Sequence, residues 1–253
     1  MFRQFTRLAY AEFRVFLREP VAVFFNIFFP LMFLFLAMHV FTPKEAVDQG
    51  IVNYYIPSFL IVTATGVSLF NIPIYIVKYR NVKFLKRLKV APIKPFIVLT
   101  SLGIANLFLL LLGFLVVILV GLFVYNAKFT GNIFVFSAGL LLCFTSLASL
   151  GLLLSSVIRG LRTVNVVGQL VYYPMFFLSG AFPFHLPKAL DITAKLIPTT
   201  YAVDLMQRLW NPTYFTKVSQ IKNYHPSSNL DMLVLIVYLV LGILISVKFF
   251  KWE

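Results

Sequence analysis

The sequence predicts an all-α, polytopic membrane protein of six spanning helices. Three observations predict it. Hydrophobic residues make up 60% of the 253 positions and charged residues 12%, against about 25% charged in ordinary soluble domains. The mean hydropathy is +0.92. The apolar residues gather into runs of the length that a bilayer core demands, about 20 residues for about 30 Å. The 29 Phe and 12 Tyr suit lipid-facing surfaces with interfacial aromatics. The length fits a single membrane domain over residues 1–253.

The elements follow in chain order. In residues 1–20, Phe2, Phe5, Leu8, Ala9, Phe13, Phe16 and Leu17 recur near helical spacing, with Arg3, Arg7, Arg14 and Arg18 largely between them. That pattern predicts an amphipathic helix lying in the membrane interface and ending at Pro20. A plain basic flank that only sets topology is the alternative. There is no short apolar core followed by a small-residue cleavage site, so no cleavable signal peptide is expected. The predicted spans are Val21–Phe41 (interrupted by Pro30), Tyr55–Val77, Phe96–Tyr125, Ile133–Ile158, Val164–Phe184 and Leu230–Val247. The fifth has a polar entry, Asn165 and Gln169, and contains Pro174.

Lysine and arginine orient the spans. With both termini in the cytoplasm, the inner segments 1–20, 78–95, 158–163 and 248–253 hold 15 of the 22 basic residues. The outer segments 42–54, 126–132 and 183–229 hold the other 7. The same distribution accounts for the net charge of +14. It is a topology signal that also attracts anionic membrane lipids. It is not the soluble basic face with base-reading groups that nucleic-acid binding requires.

Little catalytic chemistry is legible. His39, His185 and His225 are scattered, the eight acids are dispersed, and Cys143 is the sole cysteine. No metal site and no catalytic residue is expected. No GxxxxGK[ST] phosphate loop is present. The middles of the spans lack Asp, Glu, Lys and Arg, and Asp231 lies at a predicted span end where water reaches it. Proton-coupled carriers bury titrating groups at membrane depth, so the energy for any transport is expected from a cytoplasmic partner.

Two segments between spans stand out. In the loop 78–95, Val82, Leu85, Leu88 and Lys89 form a helical stripe beside Lys83, Lys86 and Arg87, ending near Pro92. A helix there suits lipid or a groove on a soluble partner; a solvated loop is the alternative. The segment 183–229 is long for a turn and apolar in its first half. Pro187–Leu196 and Thr200–Leu209 read as two short helices dipping back toward the outer leaflet, with a compact surface loop as the alternative.

Together these residues carry a family resemblance. Pro174, Ser179, Gly180 and Pro183, then Leu186-Pro187, then Pro198, Tyr201-Ala202, Asp204 and Arg208 resemble the stretch between spans five and six of membrane permeases of type 2 ATP-binding-cassette exporters. Leu17-Arg18-Glu19-Pro20 is similar to the family's entry into span one, and Leu88 and Pro92 stand where the family has its coupling helix. The loop departs from the family pattern: Lys83-Phe84 occupies a usual Gly-Thr and Lys86 a usual acid, so contact with the ATPase there rests on different charges.

The resemblance implies a half-channel in the inner or plasma membrane. A second permease, identical or related, and two cytoplasmic ATPase subunits complete it. ATP and Mg bind the partner, and this chain needs no cofactor of its own. Arg18 and Glu19 of the interfacial helix, with Lys83, Lys86, Arg87, Leu88 and Pro92, pass the motion of the ATPases to the spans. The first and fifth spans meet the second permease. Tyr172, Tyr173, Phe176, Phe177, Ser179, Gly180 and Pro183 form the path and its outer gate. An aromatic interior without charge favours amphiphilic or lipid-like cargo. The competing class is a membrane scaffold that moves nothing; a membrane-embedded enzyme lacks the clustered groups it needs.

Overall fold

The computed structural model describes residues 24–42, 50–83, 95–182, 187–213, 215 and 227–249. These residues are helical, with no strand among them. The predicted interfacial helix over 1–20 lies outside the described residues.

Helix α1 passes through a π-helical Phe24–Phe28, an α-helical Phe29–Leu36 and a π-helical Ala37–Phe41. Helix α2 covers Val52–Asn81. Helix α3 is Pro95–Tyr125, α4 Ile133–Val157 and α5 Leu161–Leu178. Two short helices follow, α6 over Lys188–Ala194 and α7 over Pro198–Trp210. Helix α8 is Ser228–Phe249. Asn132 caps α4, its Oδ1 accepting from the N–H groups of Phe134 at 2.9 Å and Val135 at 3.4 Å.

Among the described residues, four helices are long and apolar enough to cross a bilayer: α2, α3 over Leu102–Tyr125, α4 and α8. The first and fifth predicted spans fall on shorter elements. The apolar part of α1 is Asn26–Phe41. Helix α5 has 18 residues, about 27 Å at 1.5 Å per residue, and carries Asn165 and Gln169 in its first half.

Helix α2 is the centre of the bundle. Of its most apolar window 72% is buried, against 22% for α8, which shows most of its surface outward. A π-helical turn, Val67–Asn71, divides it. Pro73 explains the turn: its nitrogen has no hydrogen for the carbonyl of Leu69, and its ring would crowd that carbonyl in a regular α-helix. The freed backbone points at neighbouring glycines. A Cβ on Gly151 of α4 would lie 1.9 Å from Ser68 O, and one on Gly168 of α5 would lie 2.9 Å from Leu69 O. Helices α4 and α8 meet along a small-residue seam, where Ser146 Oγ donates to Leu235 O at 2.9 Å and Ser149 Oγ to Tyr238 O at 3.2 Å. Small and hydroxylated residues are what membrane helix pairs use for close approach.

The described part of the segment after α5 is mostly helical. Residues Pro198–Gln207 of α7 are buried against α2, α4 and α8, and both short helices lie within a few residues of their predicted positions. Asn53, at the start of α2, holds this end together. Its Oδ1 accepts from Lys128 N at 2.7 Å and from Trp210 Nε1 at 3.3 Å, while its Nδ2 donates to Gly50 O at 2.9 Å. One amide thus joins α2, the α3–α4 connection and the end of α7. Asn53→Ala is expected to destabilise the chain by about 2–3 kcal/mol, because two donors lose their acceptor. Thermal unfolding in detergent measures it; an unchanged midpoint would show that water replaces the amide.

Candidate functional site

Helix α5 ends at the predicted gate, and its C-terminal carbonyls are closed by hydroxyls. Ser179, fully buried, donates from Oγ to Phe176 O at 2.8 Å and accepts from Ala181 N at 3.2 Å. Thr199 Oγ1 donates to Met175 O at 3.3 Å, and Thr200 Oγ1 reaches Leu178 O at 3.4 Å and Ala194 O at 2.8 Å. The first turn of α7 therefore caps α5, satisfying carbonyls that a helix end leaves orphaned. Gly180 stops the helix with φ at +72°, a conformation that glycine adopts without penalty. Its carbonyl accepts from Tyr54 Oη at 2.5 Å, tying the end of α5 to α2.

The predicted gate aromatics divide by helix face. Tyr172 and Phe176 are buried, Tyr173 and Phe177 more than half exposed. The Phe176 ring lies 5.3 Å from Phe33 of α1 and 5.5 Å from Phe182. Phe182 in turn lies 5.6 Å from Phe59 of α2. Edge-on rings at these distances pack favourably. They form a packed aromatic cluster joining α1, α2 and the end of α5. On the outward side, Leu170, Tyr173 and Phe177 form one exposed stripe of α5, and Phe28, Met32 and Phe35 form another on the adjacent α1. Pro183 lies outside the described residues.

At the other end of α2, the predicted coupling loop begins later than its basic residues suggest. Helix α2 continues through Lys78 and Arg80 to Asn81. Lys83 is exposed in the turn that follows, with φ at +56°, its N–H donating to Arg80 O at 3.0 Å. Arg18, Glu19, Lys86, Arg87, Leu88 and Pro92 lie outside the described residues.

Arg80 has a structural role that the charge count concealed. It is 7% exposed. Its Nη2 donates to Ser155 O at 2.9 Å and its Nη1 to Ile158 O at 3.3 Å. It thereby caps the C-terminus of α4 and complements that helix dipole. A lone arginine at a span end reads as a topology charge; its neighbour Tyr79 gives no further signal. Arg80→Met is expected to expose the last turn of α4, raising amide exchange at Ile158 at least tenfold and costing about 1–3 kcal/mol. Hydrogen exchange of the purified chain reads this directly, and unchanged protection would remove the cap.

Asp231 is not where water reaches it. It is fully buried, because α7 covers the first turn of α8, and Arg208 Nε lies 3.7 Å from its Oδ2. Asp204, one turn before Arg208 on α7, is 1% exposed. The Arg208 guanidinium also stacks over the Phe215 ring at 4.4 Å. An ion pair therefore joins α7 to α8 at the end of the bundle opposite Arg80, with the buried Asp204 one turn away on α7.

The sequence model of the family described as ABC-2 type transporter matches residues 3–209, well over half of the chain. None of the curated proteins matches it.

Proposed function

Because this chain belongs to the ABC-2 type transporter family, as its membrane permease subunit, we propose that it forms one half of an ATP-driven export path. Two cytoplasmic ATPases supply the power, with ATP and Mg bound to them rather than to this chain. A second permease, identical or related, completes the path. Both termini and the Arg80 end lie in the cytoplasm. There Arg18, Glu19, Lys83, Lys86, Arg87, Leu88 and Pro92 meet the ATPase, and the short α6 and α7 lie on the outer side, dipping toward the outer leaflet.

The observation that most supports this reading beyond the family is the paired apolar surface of α1 and α5. The two helices touch through Phe33 and Phe176, and each leaves a stripe outward at helical spacing: Phe28, Met32 and Phe35 beside Leu170, Tyr173 and Phe177. A second permease covers that surface. The aromatic cluster around Phe176 then sits beside the subunit boundary, under the Ser179-Gly180 turn. Its uncharged lining suits amphiphilic cargo.

Co-purification with an ABC ATPase, followed by ATP-dependent accumulation of a fluorescent amphiphile in inverted vesicles, tests this function. Lys86→Glu with Arg87→Glu is the accompanying variant, expected to uncouple ATP hydrolysis from accumulation. Complex formation without any accumulation would favour the scaffold. Accumulation by the chain alone, without an ATPase, would refute the partner's role.

A further inference from the structure

Among the described residues, the buried polar atoms without a hydrogen-bond partner include two on the π turn of α2 and one on α3: Ser68 Oγ, Asn71 Nδ2 and Asn106 Oδ1. Ser68 is fully buried and Asn106 3% exposed. The other half of the Asn106 amide is satisfied, Nδ2 donating to Leu102 O at 2.9 Å. Both helices are among those apolar enough to span a bilayer. Hydrocarbon offers no replacement partner, so orphaned polar groups at such a place are costly.

The helix register puts Asn106 near the level of Ser68, within a turn of Asn71. Leu102 of α3 packs with Ile72, Tyr75 and Ile76 of α2. Asn106 lies one turn beyond Leu102, about 6 Å along the axis. The chain reverses between α2 and α3, so the same step along α2 leads from Ile72 back to Ser68. Helix α3 also touches the π turn itself.

Their chemistry is complementary to one kind of group. An amide nitrogen only donates, an amide oxygen only accepts, and a serine hydroxyl does either. A hydroxyl oxygen placed among them accepts from Asn71 Nδ2, donates to Asn106 Oδ1 and shares one further bond with Ser68 Oγ. That is the usual complement of about three bonds for a buried water. A charged ligand has no counter-charge among these three groups, and a purely apolar one would leave all three unsatisfied. π turns are also where solvent most readily enters a helix ladder.

We propose that Ser68, Asn71 and Asn106 form an internal hydroxyl-binding site at the π turn, filled by water in the resting protein. The same chemistry would accept the alcohol group of a membrane solute. The purified full chain tests both. Asn106→Leu and Ser68→Ala are each expected to lower the melting temperature by about 2–8 °C, and the double variant by less than the sum, because both lose the same bound group. Water-edited solid-state NMR of the wild type, labelled at asparagine, is expected to show transfer from water to side-chain amides within the spans; this measurement stands even where a variant fails to fold. A rise in melting temperature for Asn106→Leu, strictly additive losses, or no water transfer would overturn the site. An octanol titration separates the sources. Stabilisation of the wild type but not of Ser68→Ala identifies an alcohol occupant, and equal responses leave water.

Discussion

Gly151→Leu is expected to yield no folded protein, and Gly151→Ala to lower the melting temperature by about 5–10 °C. A Cβ at this position would stand 1.9 Å from the carbonyl oxygen of Ser68 and 3.0 Å from its carbon. The obstruction is backbone, so no rotamer change relieves it. It is moreover the backbone of the π turn, whose shape is dictated by Pro73 rather than by packing alone. Either α4 must move away from α2 or the turn must rewind, and both loosen the most buried helix of the bundle. Gly103→Ala is the control. No atom lies within 4 Å of a Cβ built there, so the better helix propensity of alanine leaves stability unchanged or raises it by about 1 kcal/mol. Fluorescence-detected gel filtration and thermal unfolding compare the two. Equal behaviour of Gly151→Ala and Gly103→Ala would refute the close approach.

Arg208→Met is the second large effect. It removes the cation from beside Asp231 and from the turn after Asp204, two carboxylates that water does not reach. Breaking one partner of a buried pair typically costs about 3–5 kcal/mol, since the remaining charge stays desolvated. Arg208 is itself 25% exposed, so about 3 kcal/mol is expected here. Arg208→Lys is expected to recover only part, because a point charge replaces a fork that also stacks on Phe215. The double variant Arg208→Met with Asp231→Leu is expected to melt above Arg208→Met alone, as apolar replacement of both partners removes the desolvation cost. A single variant that melts like the wild type would show that the ion pair carries no stability.

The helical class and the two short helices before α8 are legible in the sequence because both depend on local pattern: runs of apolar residues, and prolines at helix starts. Pro198 opens α7 where proline costs nothing. The end of α5 is legible for the same reason, since Ser179 and Gly180 end a helix by their own chemistry. What the chain pattern conceals is tertiary. Arg80 looks like any cytoplasmic charge until α4 brings its last carbonyls alongside. Asp231 looks wet until α7 folds over it. Asn71 and Asn106 are interruptions in apolar runs, and that is a signal, but their nearness exists only once α2 and α3 stand antiparallel. Helix α5 is short relative to the spanning helices because of its polar entry, Asn165 and Gln169.

Helix α2 is fastened by polar clamps at both tips, Asn53 at one and Arg80 at the other, and broken only at Val67–Asn71. A rod pinned at its ends and wrapped by its neighbours transmits a push along its length and yields only at its joint. The π turn is thus the joint of α2, lying between the Arg80 tip and the tip whose Tyr54 holds Gly180. Any tilt of one tip of α2 against the other falls on those five residues first.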